Sequence, residues 1–173
     1  TEYGRLLEQK SALLKDRFDH PSMLAVLPEY NSRMAQLGAY LISYRARFVK
    51  ALSEEARKFH GEFSSAREEL HLEYKTVSNI SDPFAPVEEL RQLLLEHQAS
   101  HERAELESGQ CLSGPHKDDF EASINGLSVS AFASQGQTRT ATISIKLAER
   151  ELLRRDTGEE PLLLLDDVLS ELD

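Results

Sequence analysis

Two short stretches carry residue types suited by order and spacing to phosphate and metal chemistry. The first is Ser134-Gln135-Gly136-Gln137, within ASQGQTRT (Ala133 to Thr140), which runs into a helical pattern. Ser134 is a good N-cap, but glycine is a poor helix former and a cap alone does not need one in its first turn. The N–H groups of a first helical turn lack intrahelical partners and attract anions. Gly136 would let a phosphate approach them with no Cβ in the way; Ser134 would add a hydroxyl and Gln137 an amide. The second stretch is PLLLLDDVLSELD, Pro161 to Asp173. Four leucines after a proline read as a short strand buried on both faces, as in a parallel sheet. Two acids ending such a strand are costly unless they face a cleft or a cation. Asp166 is then a candidate Mg²⁺ ligand, and Asp167 a candidate base for a water molecule. Each stretch also has a plainer reading, a capped helix with a flexible turn and a strand ending in solvated acids. In this order, about thirty residues apart across one helix, they form a constellation more specific than either part.

Helices and a hairpin must position these residues. Residues 1–18 place Tyr3, Leu6, Leu7, Leu13, Leu14 and Phe18 near helical spacing, and Pro21 ends that helix. A second helix starts between Ser22 and Pro28 and runs to about Lys58. In it Leu27, Met34, Leu41 and Phe48 are spaced by seven, as are Tyr30, Leu37, Tyr44 and Ala51, a heptad pattern. Two helices joined by a short break predict an antiparallel hairpin, an arm roughly 45 Å long; a long core helix in a bundle has the same pattern. Glu69 to Val77 alternates, with Leu70, Leu72 and Tyr74 on one face, and reads as a half-exposed strand. Pro86 opens a third helix with Glu88 and Glu89 in its first turn; it carries Leu90, Leu94 and Leu95 and fades near Glu107. Asn125-Gly126 between alternating runs predicts a two-residue hairpin. The helix after Ser134 extends to about Arg155, with Ala141, Ile145, Ala148 and Leu152 on one stripe. The expected order is an arm over 1–58, a strand and helix over 59–113, and hairpin, helix and strand over 114–173.

The net charge of -10 excludes wholesale nucleic-acid binding, but it is unevenly spread. Residues 1–58 hold ten basic and seven acidic residues, whereas 59–173 hold ten and twenty-three. Contact with an anionic polymer is therefore expected on the first segment, at Arg45, Arg47 and Lys50, with Arg57 and Lys58 nearby. A solvated helix face is the plainer reading of that run. Cys111 is the single cysteine and cannot form an internal disulfide, which fits a reducing cytoplasm. No signal peptide or bilayer-spanning run is visible, so no membrane association is expected. The chain opens on a helical pattern at Thr1 without an initiator methionine and is read as a piece of a longer protein. Gly109 and Gly114 have phosphate-loop spacing, but Pro115-His116 follows where Lys-Ser/Thr belongs. His97 and His101 share a helix face without a third ligand and read as solvated. His116 reads as a turn residue, Cys111 as buried, and Asp118 and Asp119 as turn caps or partners of Lys117.

The sequence resembles the RecF family of bacterial DNA-repair ATPases, of the ABC/SMC class. ASQGQTRT resembles that family's ABC signature, PLLLLDDVLSELD its Walker B strand and D-loop, and SGPHKDDF a segment usually written GPHRDD, with Lys117 in place of Arg. RLLEQKSALLK and LGAYLISYR fit its helical arm. The resemblance implies an α/β fold: the second lobe of an ABC-ATPase head with an antiparallel helical arm and a small mixed sheet, an incomplete head. It implies that Ser134, Gln135, Gly136 and Gln137 contact the γ-phosphate of ATP held by a second protomer, that Asp166 serves Mg²⁺ and Asp167 catalysis, and that Ser170 and Asp173 belong to the D-loop at the dimer seam. It further implies DNA as substrate, RecR and RecO as partners in loading RecA at gaps, and an ATP-dependent homodimer of the intact parent. Without a Walker A loop the fragment is not expected to hydrolyse ATP by itself. The alternative reading is a non-catalytic docking module of another ABC/SMC-family ATPase.

Overall fold

The structure, a computed structural model, describes residues 1–164. Helix α1 spans Glu2–Lys15, capped by the Thr1 hydroxyl, which accepts from the Gly4 N–H. A 3-10 turn at Pro21–Val26 leads into α2, Leu27–Phe63. Strand β1 is Leu70–Lys75, and α3 is Val87–Ser108. Strands β2 and β3 are Asp119–Ile124 and Leu127–Ser128; the short α4, Val129–Phe132, precedes α5, Gln135–Thr157. The fold is α/β, with long helices and a small antiparallel sheet in the order β1-β2-β3. No helix among the described residues is long and apolar enough to cross a membrane.

Helix α2 is 37 residues long, about 55 Å at 1.5 Å per residue. The heptad period holds, and the expected register is buried at Leu27 and Met34, but further along the helix the buried rows are shifted from it. Ala35, Ile42, Val49 and Ala56 are buried at intervals of seven, and so are Ala39, Ala46, Ser53 and His60. In the expected register Tyr44 is 71% exposed and Phe48 37%. The helix buries small and aliphatic residues together, with Tyr30 and Phe59 packed against the cores and Tyr40, Tyr44 and Phe48 turned outward. It stops where Ser65 and Ala66 take φ of 52° and 57°, left-handed values that end a helix.

The chain forms two interleaved compact units, Thr1–Ala46 with Lys75–Asp119, and Arg47–Tyr74 with the chain from Phe120 onward. This differs from the successive segments 1–58, 59–113 and 114–173, because the long helix contributes to both units.

In the first unit Leu13, Leu14, Leu27 and Cys111 form one buried cluster, with Leu7, Leu24, Tyr30 and Leu106 against it. The buried Lys10 ammonium meets Glu105 at 2.6 Å. The other Glu105 oxygen accepts from the Leu112 and Ser113 N–H groups at 2.7 and 3.3 Å, so the buried acid is satisfied. Gly109 is the left-handed C-cap of α3, at φ 69°. Gly114 has φ 133°, and a Cβ there would run into the Tyr3 hydroxyl. Both glycines thus have structural reasons unrelated to a phosphate loop. The Tyr3 hydroxyl donates to His116 Nδ1 at 3.0 Å, and His116 Nε2 donates to the Cys111 carbonyl at 3.2 Å. Burial pushes the Tyr3 phenol up and His116 down, so both stay neutral in these bonds. Asp118 accepts from Thr76 Oγ1 at 2.9 Å and lies 3.7 Å from Arg45. His97 is buried, not solvated: its Nδ1 is 2.7 Å from Ser113 Oγ, and its ring stacks on His101 at 4.1 Å.

In the second unit α2, α5 and the sheet share a core of Val49, Leu52, Ala56, Leu70, Leu72, Ile124, Ala141 and Ala148. Ile145 and Leu152 pack on it, so the expected α5 stripe faces inward. Asn125 and Gly126, at φ 50° and 80°, turn β2 into β3 with Ile124 opposite Leu127, as the Asn-Gly pair predicts. The Asn125 side-chain oxygen accepts from the Glu69 N–H at 2.9 Å. The expected buried strand at Pro161 is not formed over its described part. Pro161 to Leu164 carry no regular structure, and Leu162 and Leu164 are 94% and 92% exposed. A strand is buried on both faces only where neighbours flank it, and the sheet of the described residues consists of β1, β2 and β3 alone.

Glu55 ties α2 to α5: it accepts from Arg155 at 2.7 Å and from Lys58 at 2.8 Å. The Arg155 hydrogen bond first, and that of Lys58 second, hold its carboxyl below the usual range. A depressed carboxylate contributes stability that is present above the unfolded value, about 4.3, and is lost as pH falls through the folded one. Glu55→Gln is therefore expected to lower the urea midpoint at pH 7 and narrow its gap from the parent chain at pH 3. An equal gap at both pH values would remove Glu55 from the acid response.

Candidate functional site

The chain enters α5 through Ala133 and Ser134, both extended. Ser134 Oγ accepts from the Gln137 N–H at 3.2 Å, and Gln137 Oε1 accepts from the Ser134 N–H at 2.9 Å. This reciprocal capping box satisfies two backbone donors at once. The Gln135 and Gly136 N–H groups lie between them and have no partner among the described residues. They are the two donors that the cap leaves for something outside the helix.

Gly136 has no internal reason to be glycine. Its φ is not positive, and a Cβ there would meet nothing within 4 Å among the described residues. A glycine in a helix costs up to about 1 kcal/mol relative to alanine. Such a cost, with empty space above the residue, fits a position kept bare for a close external contact.

Gly136, Gln137 and Thr140 line an open groove of about 420 Å³ with Phe63, Ser64, Arg67, Glu68 and Asn125. The Arg67 side chain is exposed apart from its Nε, which donates to the Ser64 carbonyl at 3.1 Å. The Thr138, Thr140 and Thr142 hydroxyls donate back to carbonyls one turn earlier, at 2.8–3.0 Å. They run along the helix rather than into the groove.

The sequence-derived residues are brought together unequally. Ser134, Gln135 and Gly136 are exposed at the helix start, with the hydroxyl hydrogen of Ser134 still available. Gln137 is bound at both ends of its amide, since Nε2 donates to Glu68 Oε1 at 2.9 Å. Arg45 donates to the Pro115 carbonyl and lies near Asp118, which withdraws it from a free basic patch. Arg47, Lys50 and Arg57 are all exposed, and Arg57 pairs with Glu69 at 3.0 Å. Asp166, Asp167, Ser170 and Asp173 lie outside the described residues, among which no cluster suited to a metal ion occurs. Glu68 and Arg67 were not legible in the sequence, because they sit in a polar connection without periodicity. His60 left one signal, a histidine at a heptad position otherwise filled by small residues.

Long helices and a small antiparallel sheet, matched to part of a solved RecF structure, define part of an ABC-type ATPase head. No protein-family profile matches the chain. Over 99% of its length it is 42% identical to the DNA replication and repair protein RecF of Limosilactobacillus reuteri, and 36% identical to that of Acetivibrio thermocellus. By this similarity the chain matches a fragment of RecF proteins. It spans about half the length of these relatives, 46% in each case. Two solved structures of the recombination mediator RecF in the RecFOR pathway, one described with ATP, superpose over 99% of the chain. Both have a TM-score of 0.88, at 32% and 33% identity, and the chain covers 45% of each.

The capping box makes a stability prediction. Ser134→Ala removes the acceptor for the Gln137 N–H and should destabilise the chain by about 1 kcal/mol, read as a lower urea midpoint at unchanged slope. An unchanged midpoint would show that the box holds nothing in place.

Proposed function

We propose that this chain is the part of a RecF-type ATPase that closes a nucleotide site on a second protomer, in DNA replication and repair. The observation that carries the reading is the start of α5, where Gln135 and Gly136 offer two free N–H groups beside an uncrowded glycine. ATP with Mg²⁺, when bound by the partner protomer, supplies a γ-phosphate whose charge suits such donors. Gln135 and Gly136 donate their N–H groups to it, and Ser134 adds its hydroxyl. The triphosphate then joins the protomers, and hydrolysis releases them. The relatives' name and the structure described with ATP support this reading.

The proposal extends to residues outside the described region. Asp166 would hold Mg²⁺, Asp167 would act as base toward water, and Ser170 and Asp173 would lie at the protomer seam. DNA contact is assigned to the exposed Arg47 and Lys50, with Arg45 committed to Pro115 and Asp118. RecR and RecO would be its partners in loading RecA at gaps, in the cytoplasm.

In the full-length ATPase, Ser134→Arg should abolish ATP-dependent dimerisation while each monomer still binds ATP, because a bulky cation blocks closure outside the monomer's own pocket. Asp167→Asn should give the opposite result, dimers that persist because hydrolysis stalls. Size-exclusion chromatography with ATP separates the two outcomes. Normal dimerisation of Ser134→Arg would refute the role given to the α5 start.

A further inference from the structure

The groove beside α5 is bordered by an acid that no sequence motif singles out. The two carboxylate oxygens of Glu68 have different partners. Oε1 accepts from Gln137 Nε2 at 2.9 Å, and Oε2 accepts from His60 Nε2 at 3.1 Å. His60 is fully buried on α2, with its other ring nitrogen 3.5 Å from Ser144 Oγ on α5. Gln137 passes the connection to the backbone, since its Oε1 accepts from the Ser134 N–H at 2.9 Å. A continuous series of hydrogen bonds therefore runs from the interior of α2, through a turn residue, to the cap of α5.

The turn that delivers Glu68 is strained. Ser65 and Ala66 stand at φ 52° and 57°, where residues other than glycine are disfavoured. Ser64 Oγ accepts from the Glu68 N–H at 3.3 Å and fixes the residue behind them. A histidine without solvent exposure is costly unless its ring is satisfied. A carboxylate beside a phosphate site also opposes the anion. His60 is satisfied through Glu68 and Ser144, and the strained turn and the carboxylate's repulsion of an anion are the two costs borne around the Glu68–Gln137 hydrogen bond.

We propose that Glu68 is a positioning residue for the α5 start, acting through Gln137. It holds the amide so that Oε1 stays on the Ser134 N–H, which keeps the capping box closed and leaves the Gln135 and Gly136 N–H groups as the free donors. His60 fixes the carboxylate from the long helix. Gln137 is thereby a support of the phosphate site rather than one of its contacts. The inference rests on the nucleotide role proposed for this helix start.

Two experiments separate the clamp from that role. In the 173-residue chain, Glu68→Ala should speed amide hydrogen exchange at Ser134 and Gln137 about tenfold, as expected for loss of a charge-assisted hydrogen bond; unchanged exchange overturns the clamp whatever the helix start binds. In the full-length ATPase, Glu68→Ala should raise the ATP concentration for half-maximal dimerisation about tenfold and leave ATP affinity of the monomer within about twofold. Glu68→Gln keeps an oxygen for Gln137 and should restore most of the response. Gln137→Met should match Glu68→Ala, and the double variant should be no worse than either single one. Additive losses, absence of rescue by glutamine or a parental response of Glu68→Ala would each overturn the proposal. If exchange and coupling behave as expected but Ser134→Arg still dimerises with ATP, the nucleotide reading fails and the clamp stands as a cap support.

Discussion

A helix start that presents N–H groups to a ligand must be rigid without consuming those groups. Here the reciprocal Ser134–Gln137 box meets both requirements. It satisfies the N–H groups of the cap residue and of the third helical residue, and leaves the two between them open. A cap that used those two as well would be sealed to ligands, and no cap at all would let the first turn fray. The remainder of the second unit holds that start in place. The apolar stripe of α5 packs on α2 and β1, while Glu55 and Arg155 fasten its far end.

The long helix supports this arrangement because small residues are interspersed among its buried positions. Ala56 and Val49 let neighbouring elements close on α2, and His60 appears at the same interval as a polar group inside the packed layer. A buried imidazole in a row otherwise filled by Ala39, Ala46 and Ser53 is a local conflict that stability alone does not explain. Its bond to Glu68, and through Glu68 to Gln137, gives the conflict a place in the site.

Much of this was legible in the sequence where local chemistry decides the outcome. Asn125-Gly126 fixes its turn through backbone conformations that few residues accept. Leu70, Leu72 and Tyr74 alternate because the sheet has one inner face, and Ser134 caps because its hydroxyl competes well for a helical N–H. The register of α2 was not legible, because alanine and large aliphatic residues both read as apolar and only packing selects between them. Tyr44 and Phe48 have the period of a seam yet face outward. The leucines at Pro161 to Leu164 read as buried from composition alone, but burial depends on flanking strands that composition does not supply. The role of Glu68 escaped for a different reason: it depends on contacts with residues eight and sixty-nine positions away, which no local pattern encodes.

The central claim is that Gly136 is glycine for the sake of something outside the chain. Gly136→Ala tests it most directly, because a Cβ there meets no atom within 4 Å among the described residues and alanine is the better helix former. The paired measurement is the urea midpoint of the 173-residue chain and ATP-dependent dimerisation of the full-length ATPase with the same substitution. The account predicts a midpoint raised by up to about 1 kcal/mol of stability together with loss of the ATP-dependent dimer. A variant that is as stable or more stable and still dimerises with ATP like the parent would contradict it.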